Sequence, residues 1–374
     1  MKSGKFIEKL HISTAYIFCN IPLFILELLL LAVTLYAANF IVKMTMIQRV
    51  SINEADIVVN ERAEEEVTVK EPGDSESVLG DTGFKNIALF GVDSRDGSLD
   101  MGRSDTIMIA SINLETHEIR LVSVYRDTFL NVGNDSYNKC NVAYAKGGAK
   151  QAMNMLNRNF DLDVTDYVTV GFDGLIKAID ALGGVEIDVK ENEIVHLNNY
   201  QKSMFMEDEN DTANLNEDIE EVTKSGLQTL SGLQATAYCR IRYVGDDYAR
   251  TERQRSVIKA MLEKAATVSP TKLTSTAYAI MPYMSTSFTI GEILAVVGDV
   301  KQYSMAESSG LPYEEYRTAG NLGSYGSCIV PVTLSQNVVE LHGSLFGEED
   351  YRVSSEVSLI SSEIEEKTDR YLNE

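Results

Sequence analysis

The pattern of hydrophobic and polar positions predicts a mixture of strands and helices from Lys85 onward. Short apolar runs rich in β-branched residues and bounded by Gly, Asp or Asn are typical of buried strands. Four such runs are KNIALFGV, TIMIASI, EIRLVSV and YVTVGF. Between them, Asn141–Phe160 and Asp173–Leu182 are predicted helices. Strands mixed with helices indicate a layered α/β or α+β domain around a mostly buried sheet.

The pattern is interrupted at residues 191–222, which hold ten acidic residues and little hydrophobic periodicity. We predict a mobile surface insertion here. After Ser225 we expect a glycine-bounded helical turn, then the strand TAYCRIRY and a helix from about Tyr248 to Ala266. Residues 269–350 alternate helical and apolar segments, which predicts a smaller C-terminal lobe. The polar, acidic tail 351–374 is expected to fray.

Near the N-terminus, Ile21–Val42 forms an apolar run of 22 residues with a single charge, Glu27. A helix of this length can cross a hydrocarbon core of ~30 Å. The run is too long for a signal-peptide core, so we predict an uncleaved membrane anchor. Glu27 is expected either to be neutral or to face a partner helix in the membrane.

Charges around this run predict its orientation. Lysines precede it, and an acidic stretch soon follows it. The positive-inside rule then predicts a cytoplasmic tail at 1–14, a transmembrane helix at 15–43 and an extracellular remainder. Residues 44–84 are predicted to form an acidic extracellular stalk, because 51–84 carry ten acidic and two basic residues.

The whole chain has a formal net charge of -23, which argues against a nucleic-acid partner. Against this background, Thr236–Arg255 contains five arginines in twenty residues. In a strand, Arg240 and Arg242 project from one face. In the following helix, Arg250 and Gln254 continue the apolar stripe that must face the core.

An arginine in line with a core-facing stripe is costly unless an anion meets it, and a helix N-terminus adds to an anion site. We therefore predict a bound polyanionic ligand. The alternative is pairing with the nearby acids Asp246, Asp247 and Glu252. That alternative accounts for Arg253 and Arg255 more easily than for the other three arginines.

A second block, GVDSRDGSLDMGRSDTIMIASI, places Asp93 and Arg95 after one strand and Arg103 and Asp105 before the next. Two strand-edge loops can bring Asp93 and Asp105 to one point at the end of the sheet. Such a pair suits Mg²⁺, which binds one or two carboxylates together with phosphate oxygens. The alternative is ordinary turn chemistry, which we accept for the other aspartates of the block.

A third block places Arg126 and Asp127 at the end of a strand and Lys139 before a helix. Asp127 has an alternative as an internal partner of an arginine. The extracellular cysteines, Cys140, Cys239 and Cys328, show no metal-binding spacing and allow at most one disulfide.

Arginine clamps with Mg²⁺ stabilise a transferring phosphoryl group. Since there is no Walker loop and the domain is predicted to lie outside the cell, the substrate should be a phosphoanhydride in the nearby membrane.

These motifs, together with NKCNVAYAKGG, GLQTLSGLQATAYCRIRY and RTERQR, resemble the LytR-CpsA-Psr family, in order, over about Lys85–Ala266. The resemblance implies a catalytic domain at 85–268 with a central mixed, twisted sheet flanked by helices. It also implies a type II membrane protein of Gram-positive bacteria. Such an enzyme transfers teichoic acid or capsular polysaccharide from undecaprenyl pyrophosphate to peptidoglycan. The chain departs from the family at Tyr125, where proline is usual, and at Cys140.

The resemblance also implies residue roles. Asp93 and Asp105 would bind Mg²⁺. The remaining positions would bind the pyrophosphate or act at the site: Arg103, Arg126, Asp127, Arg240, Arg242 and Arg250, with Arg95, Lys139 and Gln254 beside them. The sequence leaves open a polyprenyl-pyrophosphate hydrolase, or a non-catalytic phospholipid-binding protein of wall assembly.

Overall fold

The structure is a computed structural model that describes residues 34, 48–61, 83–93, 99, 102–206, 219–306 and 308–372. Of its two compact units, only Gln48–Glu374 is described beyond a single residue. Arg95 and the predicted membrane helix, apart from Thr34, lie outside the described residues. None of the helices in the described part is long and apolar enough to cross a membrane.

The strands follow in chain order. They are β1 (Gln48–Arg49), β2 (Phe84–Val92), β3 (Ser104–Asn113), β4 (Glu118–Val124), β5 (Phe129–Asn131), β6 (Tyr137–Lys139), β7 (Asp166–Gly171), β8 (Val185–Val189), β9 (Gly226–Leu230), β10 (Met284–Thr286), β11 (Ser304–Met305), β12 (Ser309–Leu311), β13 (Arg317–Asn321) and β14 (Ser327–Pro331).

The α-helices are α1 (Val142–Phe160), α2 (Phe172–Leu182), α3 (Ile194–Met206), α4 (Gly232–Arg240), α5 (Asp247–Thr267), α6 (Pro270–Ile280), α7 (Ile290–Asp299), α8 (Leu334–Phe346) and α9 (Ser355–Leu372). Short 3₁₀ helices occupy Glu54–Asp56, Glu191–Glu193, Met281–Tyr283, Val300–Gln302, Glu314–Tyr316 and Gly323–Tyr325.

The central sheet has the order β1-β10-β7-β2-β3-β4-β11, and β12 also pairs with β4. β2 is antiparallel to β3 and parallel to β7, so the sheet is mixed. β13 with β14, β5 with β6, and β8 with β9 form separate two-stranded sheets. The predicted class, a mixed sheet flanked by helices, is confirmed.

The two faces of the sheet are packed differently. Alternate β2 and β3 residues such as Phe90 and Ile109 are fully buried beneath α1, together with apolar side chains of α8 and α9. On the other face, Met108, Ala110 and Leu121 pack against partly buried side chains, among them Ile258 of α5. The helix α7 on this side has no fully buried residue despite its apolar sequence. The second face is therefore packed more loosely than the first.

Two predictions around the arginine cluster are wrong. The stretch TAYCRIRY is not a strand, since α4 runs to Arg240. Ser231 caps this helix: its hydroxyl accepts from the Gln234 amide (3.3 Å), and the Gln234 side chain accepts from the Ser231 amide (2.9 Å). This capping box starts the helix and overrides the β-branched pattern. Residues 226–230 are a strand paired with β8, not a helical turn.

The acidic segment 191–222 is not a loop over its first part, where a 3₁₀ turn leads into α3. Leu197 and Gln201 of this helix are buried. Residues 207–218 lie outside the described residues.

The predicted C-terminal lobe does not separate from the rest, because β10, β11 and β12 complete the central sheet. The prediction that the tail 351–374 frays is wrong for the residues that the structure describes. The tail forms α9, and Val357, Ile360 and Ile364 are buried in the main core. Their spacing of three and four residues is helical, and the polar residues between them form the exposed face.

We predict that Asp166 stabilises the sheet in a pH-dependent way. Burial alone would raise its pKa, but hydrogen bonds from Lys85, Ser287 and Thr165 outweigh burial and lower it. A lowered carboxyl pKa means stability that is present above the pKa of the unfolded chain and lost as pH falls through the folded one. Asp166→Asn should lower the free energy of unfolding at neutral pH by roughly 1.5–3 kcal/mol.

Urea unfolding of Asp166→Asn between about pH 7 and 2 should show a weaker acid dependence than the parent chain. Asp188→Asn, at an exposed strand position, is the matched control and should unfold as the parent does. An unchanged acid slope in Asp166→Asn would contradict the assignment.

Candidate active site

Asp105 lies at an irregularity in the ladder of β2 and β3. Gly91 pairs with Thr106 and Val92 with Ser104, so Asp105 is the extra residue of a β-bulge. A bulge redirects a side chain out of the regular alternation. Asp105 accepts hydrogen bonds from Arg126 Nη1 (2.6 Å) and Arg242 Nη2 (3.3 Å). One carboxylate thus joins arginines that are far apart in the sequence.

Arg250, in the first turn of α5, is almost fully buried, with 2% of its surface exposed. Its Nη2 contacts Asp247 Oδ1 (2.9 Å) and the carbonyl of Asp105 (3.4 Å). Its Nε and Nη1 are buried without a hydrogen-bond partner among the described residues. Burial lowers the pKa of Arg250, against the opposing effect of Asp247. These two nitrogens can therefore donate hydrogen bonds to an anion.

Asp247 is a site residue that the sequence reasoning missed, since it was considered only as a local partner for arginines. Its Oδ2 is buried and has no hydrogen-bond partner in the described part of the chain. Burial raises its pKa, while Arg250 and Arg126 act in the opposite direction. The signal was its spacing of three residues before Arg250, which places both on one side of the first helical turn.

Arg126 links the two aspartates. Besides Asp105, its Nε lies 3.8 Å from Asp247 Oδ1 and 3.6 Å from Asp127 Oδ2. Burial tends to lower the pKa of Arg126, but the surrounding carboxylates outweigh it and raise the pKa. Asp127 also pairs with Lys139 Nζ at 2.9 Å. Asp127 thus has two basic partners, and the longer contact, with Arg126, is of the kind that the alternative for this residue expected; its role at the site stays a prediction.

Not all predicted residues converge equally. Arg240 ends α4, and its guanidinium stands 4.7 Å from the ring centroid of Phe172, a cation–π geometry. It shares no strand face with Arg242. Gln254 is half-buried one turn beyond Arg250, and Asp93 and Arg103 are exposed at the ends of β2 and β3.

Arg253 and Arg255 do not pair with nearby acids as the alternative reading supposed. Arg253 Nε contacts Glu193 Oε1 at 2.7 Å, and both side chains are buried. Its other nitrogens donate to the carbonyls of Ile241 (3.2 Å) and Val244 (2.5 Å). Arg255 Nε donates to Ser308 Oγ (3.2 Å). Arg253 therefore ties the acidic segment to the loop that carries Arg242.

Arg317 of strand β13 contacts two tyrosines next to the charged residues of the site. The Arg317 guanidinium lies 3.7 Å from the ring centroid of Tyr248 and donates to the hydroxyl of Tyr125 (3.2 Å). Tyr125 precedes Arg126, and Tyr248 follows Asp247. The Tyr125 hydroxyl needs Gly310, where an added Cβ would lie 2.0 Å from it. These contacts fix the backbone on both sides of the charged network.

The carboxylates of Asp93 and Asp105 are of the chemical type that binds a magnesium ion. Val92 pairs with Ser104, so Asp93 and Asp105 lie at the same end of neighbouring strands, and carboxylate oxygens are ligands that Mg²⁺ prefers. Across the ranges that the structure covers, no group of three or more His, Cys, Asp or Glu could hold a metal ion. A magnesium ion here would take its remaining ligands from water and phosphate. Cys140, Cys239 and Cys328 are free and buried, without a disulfide.

Comparison with known proteins identifies relatives of this fold. The model of the LytR_cpsA_psr family matches residues 43–326. A polyisoprenyl-teichoic acid–peptidoglycan teichoic acid transferase TagU of Enterococcus faecalis is 32% identical over 183 residues, which are 48% of this chain and 53% of that protein. The TagU of Oceanobacillus iheyensis is 34% identical over 192 residues, 49% of this chain and 52% of that protein. The chain thus spans about half the length of these curated relatives.

Solved structures show the same fold. Bacillus subtilis TagV superposes with a TM-score of 0.57 at 22% identity, covering 74% of this chain and 100% of that chain. The LytR-CPS2A-psr family protein YwtF (TagT) with bound octaprenyl pyrophosphate lipid superposes with a TM-score of 0.53 at 20% identity, covering 77% and 99%.

We predict that breaking the buried Arg253–Glu193 pair strongly lowers the free energy of unfolding. Arg253→Met leaves the Glu193 carboxylate buried and uncompensated, which should lower the free energy of unfolding by about 3–5 kcal/mol. The double variant Arg253→Met/Glu193→Gln should recover part of this loss, because no uncompensated charge remains. Urea unfolding measures both.

Lys367→Ala is the control, since it breaks an exposed pair with Glu363 and should change stability by less than about 0.5 kcal/mol. Equal losses in the single and double variants would refute the coupling.

Proposed function

The chain belongs to the LytR_cpsA_psr family, and on that premise we propose that it attaches an anionic glycopolymer from a polyprenyl pyrophosphate lipid to peptidoglycan. The relatives named above as teichoic acid–peptidoglycan transferases support this reading. The observation that carries it is the pair of buried, unpartnered guanidinium nitrogens of Arg250 beside Arg126 and Arg242. A pyrophosphate presents the oxygens that these donors lack.

The loosely packed second face of the sheet supports a lipid carrier. Interior apolar side chains there remain only partly buried, among them Leu89, Val168 and Ile293. Further partly buried residues in this region are Met261, Leu262 and Val297. A prenyl chain lying against them would gain about 25 cal/mol per Å² of apolar surface removed from water. TagT with bound octaprenyl pyrophosphate has the same fold.

The proposed chemistry is a displacement at phosphorus. The acceptor hydroxyl oxygen forms a bond to the phosphorus next to the glycopolymer, and the bond from that phosphorus to the bridging oxygen breaks. The polyprenyl phosphate leaves with the electron pair. Arg126, Arg242 and Arg250 offset the charge that grows on the phosphate oxygens, and Arg240 and Gln254 border this position.

Asp247 is the residue we assign to accept the proton of the hydroxyl. Its Oδ2 is free of hydrogen bonds among the described residues, and burial raises its pKa toward the range of an effective base. Asp127 is less suited, because Lys139 and Arg126 already contact its oxygens.

Asp93 and Asp105 are the residues we propose to hold Mg²⁺, which would supply further charge neutralisation when bound. We also propose that Arg103 and Lys139 add positive charge beside the site; Arg95, predicted to act with them, lies outside the described residues. The location that fits such a substrate is the outer side of the cell membrane. The predicted helix at 15–43 would anchor the chain there as a single-pass type II protein.

We expect Arg242→Ala to reduce transfer strongly while leaving the fold intact. The side chain is 51% exposed, so its loss removes a phosphate donor without opening the core. The rate constant kcat should fall about 10²–10³-fold, measured with lipid-linked glycopolymer and peptidoglycan.

Arg120→Ala is the matched control: it changes a half-exposed arginine in β4, whose other end leads to Arg126, and should leave transfer unchanged. Full transfer by Arg242→Ala would overturn the proposed site. Release of free glycopolymer without peptidoglycan would identify the enzyme as a hydrolase instead.

The pH dependence tests the base. A raised pKa of Asp247 means that transfer should decline as pH falls through a value above that of an ordinary aspartate. Asp247→Asn should abolish transfer at every pH. Asp127→Asn should have a reduced rate that still falls at low pH as the rate of the parent chain does. Single-turnover rates between about pH 4 and 8 provide the measurement. If the transfer rate of Asp247→Asn still falls at low pH as the rate of the parent chain does, another residue must accept the proton.

A further inference from the structure

Tyr243 is an exposed aromatic ring at the edge of the site. It is the most exposed of the large hydrophobic side chains in the described part, at 78%. Its ring stacks on that of His196, with centroids 5.6 Å apart and planes inclined by 26°. The neighbouring Val195 of α3 is also exposed, at 65%. In this His196–Tyr243 stack the Tyr243 ring is open to solvent, and the half-buried His196 ring lies against it.

Buried contacts hold the stack in place. Arg253 donates to the carbonyls of Ile241 and Val244, which flank Tyr243 in the chain. The same guanidinium pairs with buried Glu193, directly before the helix that carries His196. The buried Arg253–Glu193 pair therefore links the two segments that carry the rings. A surface fixed in this way loses little further entropy when it binds a ligand.

Tyr243 of the stack is on the same loop as Arg242, one of the proposed phosphate-binding residues. Arg242 is next to Tyr243 in the chain, and its Nη2 contacts Asp105 Oδ2 at 3.3 Å. If Arg242 holds a phosphate, the exposed ring is carried by the adjacent residue, on the same loop between α4 and α5.

We propose that the His196–Tyr243 stack binds the first pyranose ring of the donor, next to the pyrophosphate. This inference rests on the proposed function. One face of a pyranose is lined by C–H groups and packs on an aromatic ring, while its hydroxyls stay in water. The acidic residues around α3 oppose the other use of an exposed tyrosine, insertion into an anionic membrane surface. Glu191, Glu220 and Glu221 are exposed nearby in the chain.

The test compares two lipids on the full chain in detergent micelles. One is undecaprenyl pyrophosphate bearing a single N-acetylhexosamine, and the other is sugar-free undecaprenyl pyrophosphate. Tyr243→Ala should raise the Kd of the sugar-bearing lipid about tenfold and leave that of the sugar-free lipid unchanged. Tyr243→Phe should bind both as the parent does, because the ring is kept.

Leu227→Ala, which removes another exposed apolar side chain, is the control and should bind both lipids normally. Equal weakening for both lipids in Tyr243→Ala would assign the stack to the membrane or to loop structure and overturn the inference. An effect confined to the KM for peptidoglycan would also overturn it. If the parent chain binds neither lipid, the proposed function itself fails.

Discussion

Desolvation of positive charge is the constraint around which this domain is built. Arg250, Arg253 and Arg255 are each nine-tenths buried or more on one helix, and a buried guanidinium is costly without compensation. Carboxylates provide part of it: Glu193 for Arg253, Asp247 for Arg250 and Asp105 for Arg126 and Arg242. The compensation is complete at Arg253, which is structural. It is incomplete at Arg250, where two guanidinium nitrogens have no hydrogen-bond partner among the described residues.

This difference separates fold from chemistry within one helix. The Arg253–Glu193 pair lies behind the site and fixes the loop from Ile241 to Val244. The Arg250 side faces the strand ends, where Asp105 stands at its bulge. Arginines whose nitrogens all have hydrogen-bond partners keep such a network rigid. Arginines with unpartnered nitrogens can then bind an anion in a fixed geometry.

Much of this was predictable from local pattern, and the failures have local causes. The strands β2, β3, β4 and β7 and the helices α1, α2 and α5 follow from periodicity and their boundaries. The run TAYCRIRY predicts a strand, whereas α4 is specified by the capping box of Ser231 and Gln234 at its start. The strand pairings of β10 to β12 and the pairing of Arg253 with Glu193 depend on contacts distant in sequence, which periodicity does not encode. Asp247 was found only through its burial, since its sequence position also suits an ordinary surface ion pair.

The late strands and the last helix carry a consequence for how the domain is made. β12 pairs with β4, β10 pairs with both β1 and β7, and α9 contributes buried residues to the main core beyond the end of the family match at 326. The central sheet therefore cannot be completed before β12 has been synthesised, and the main core cannot be completed before α9. Such a topology, dominated by non-local pairing, folds slowly. Folding of the central sheet is therefore delayed until its last strands have been synthesised.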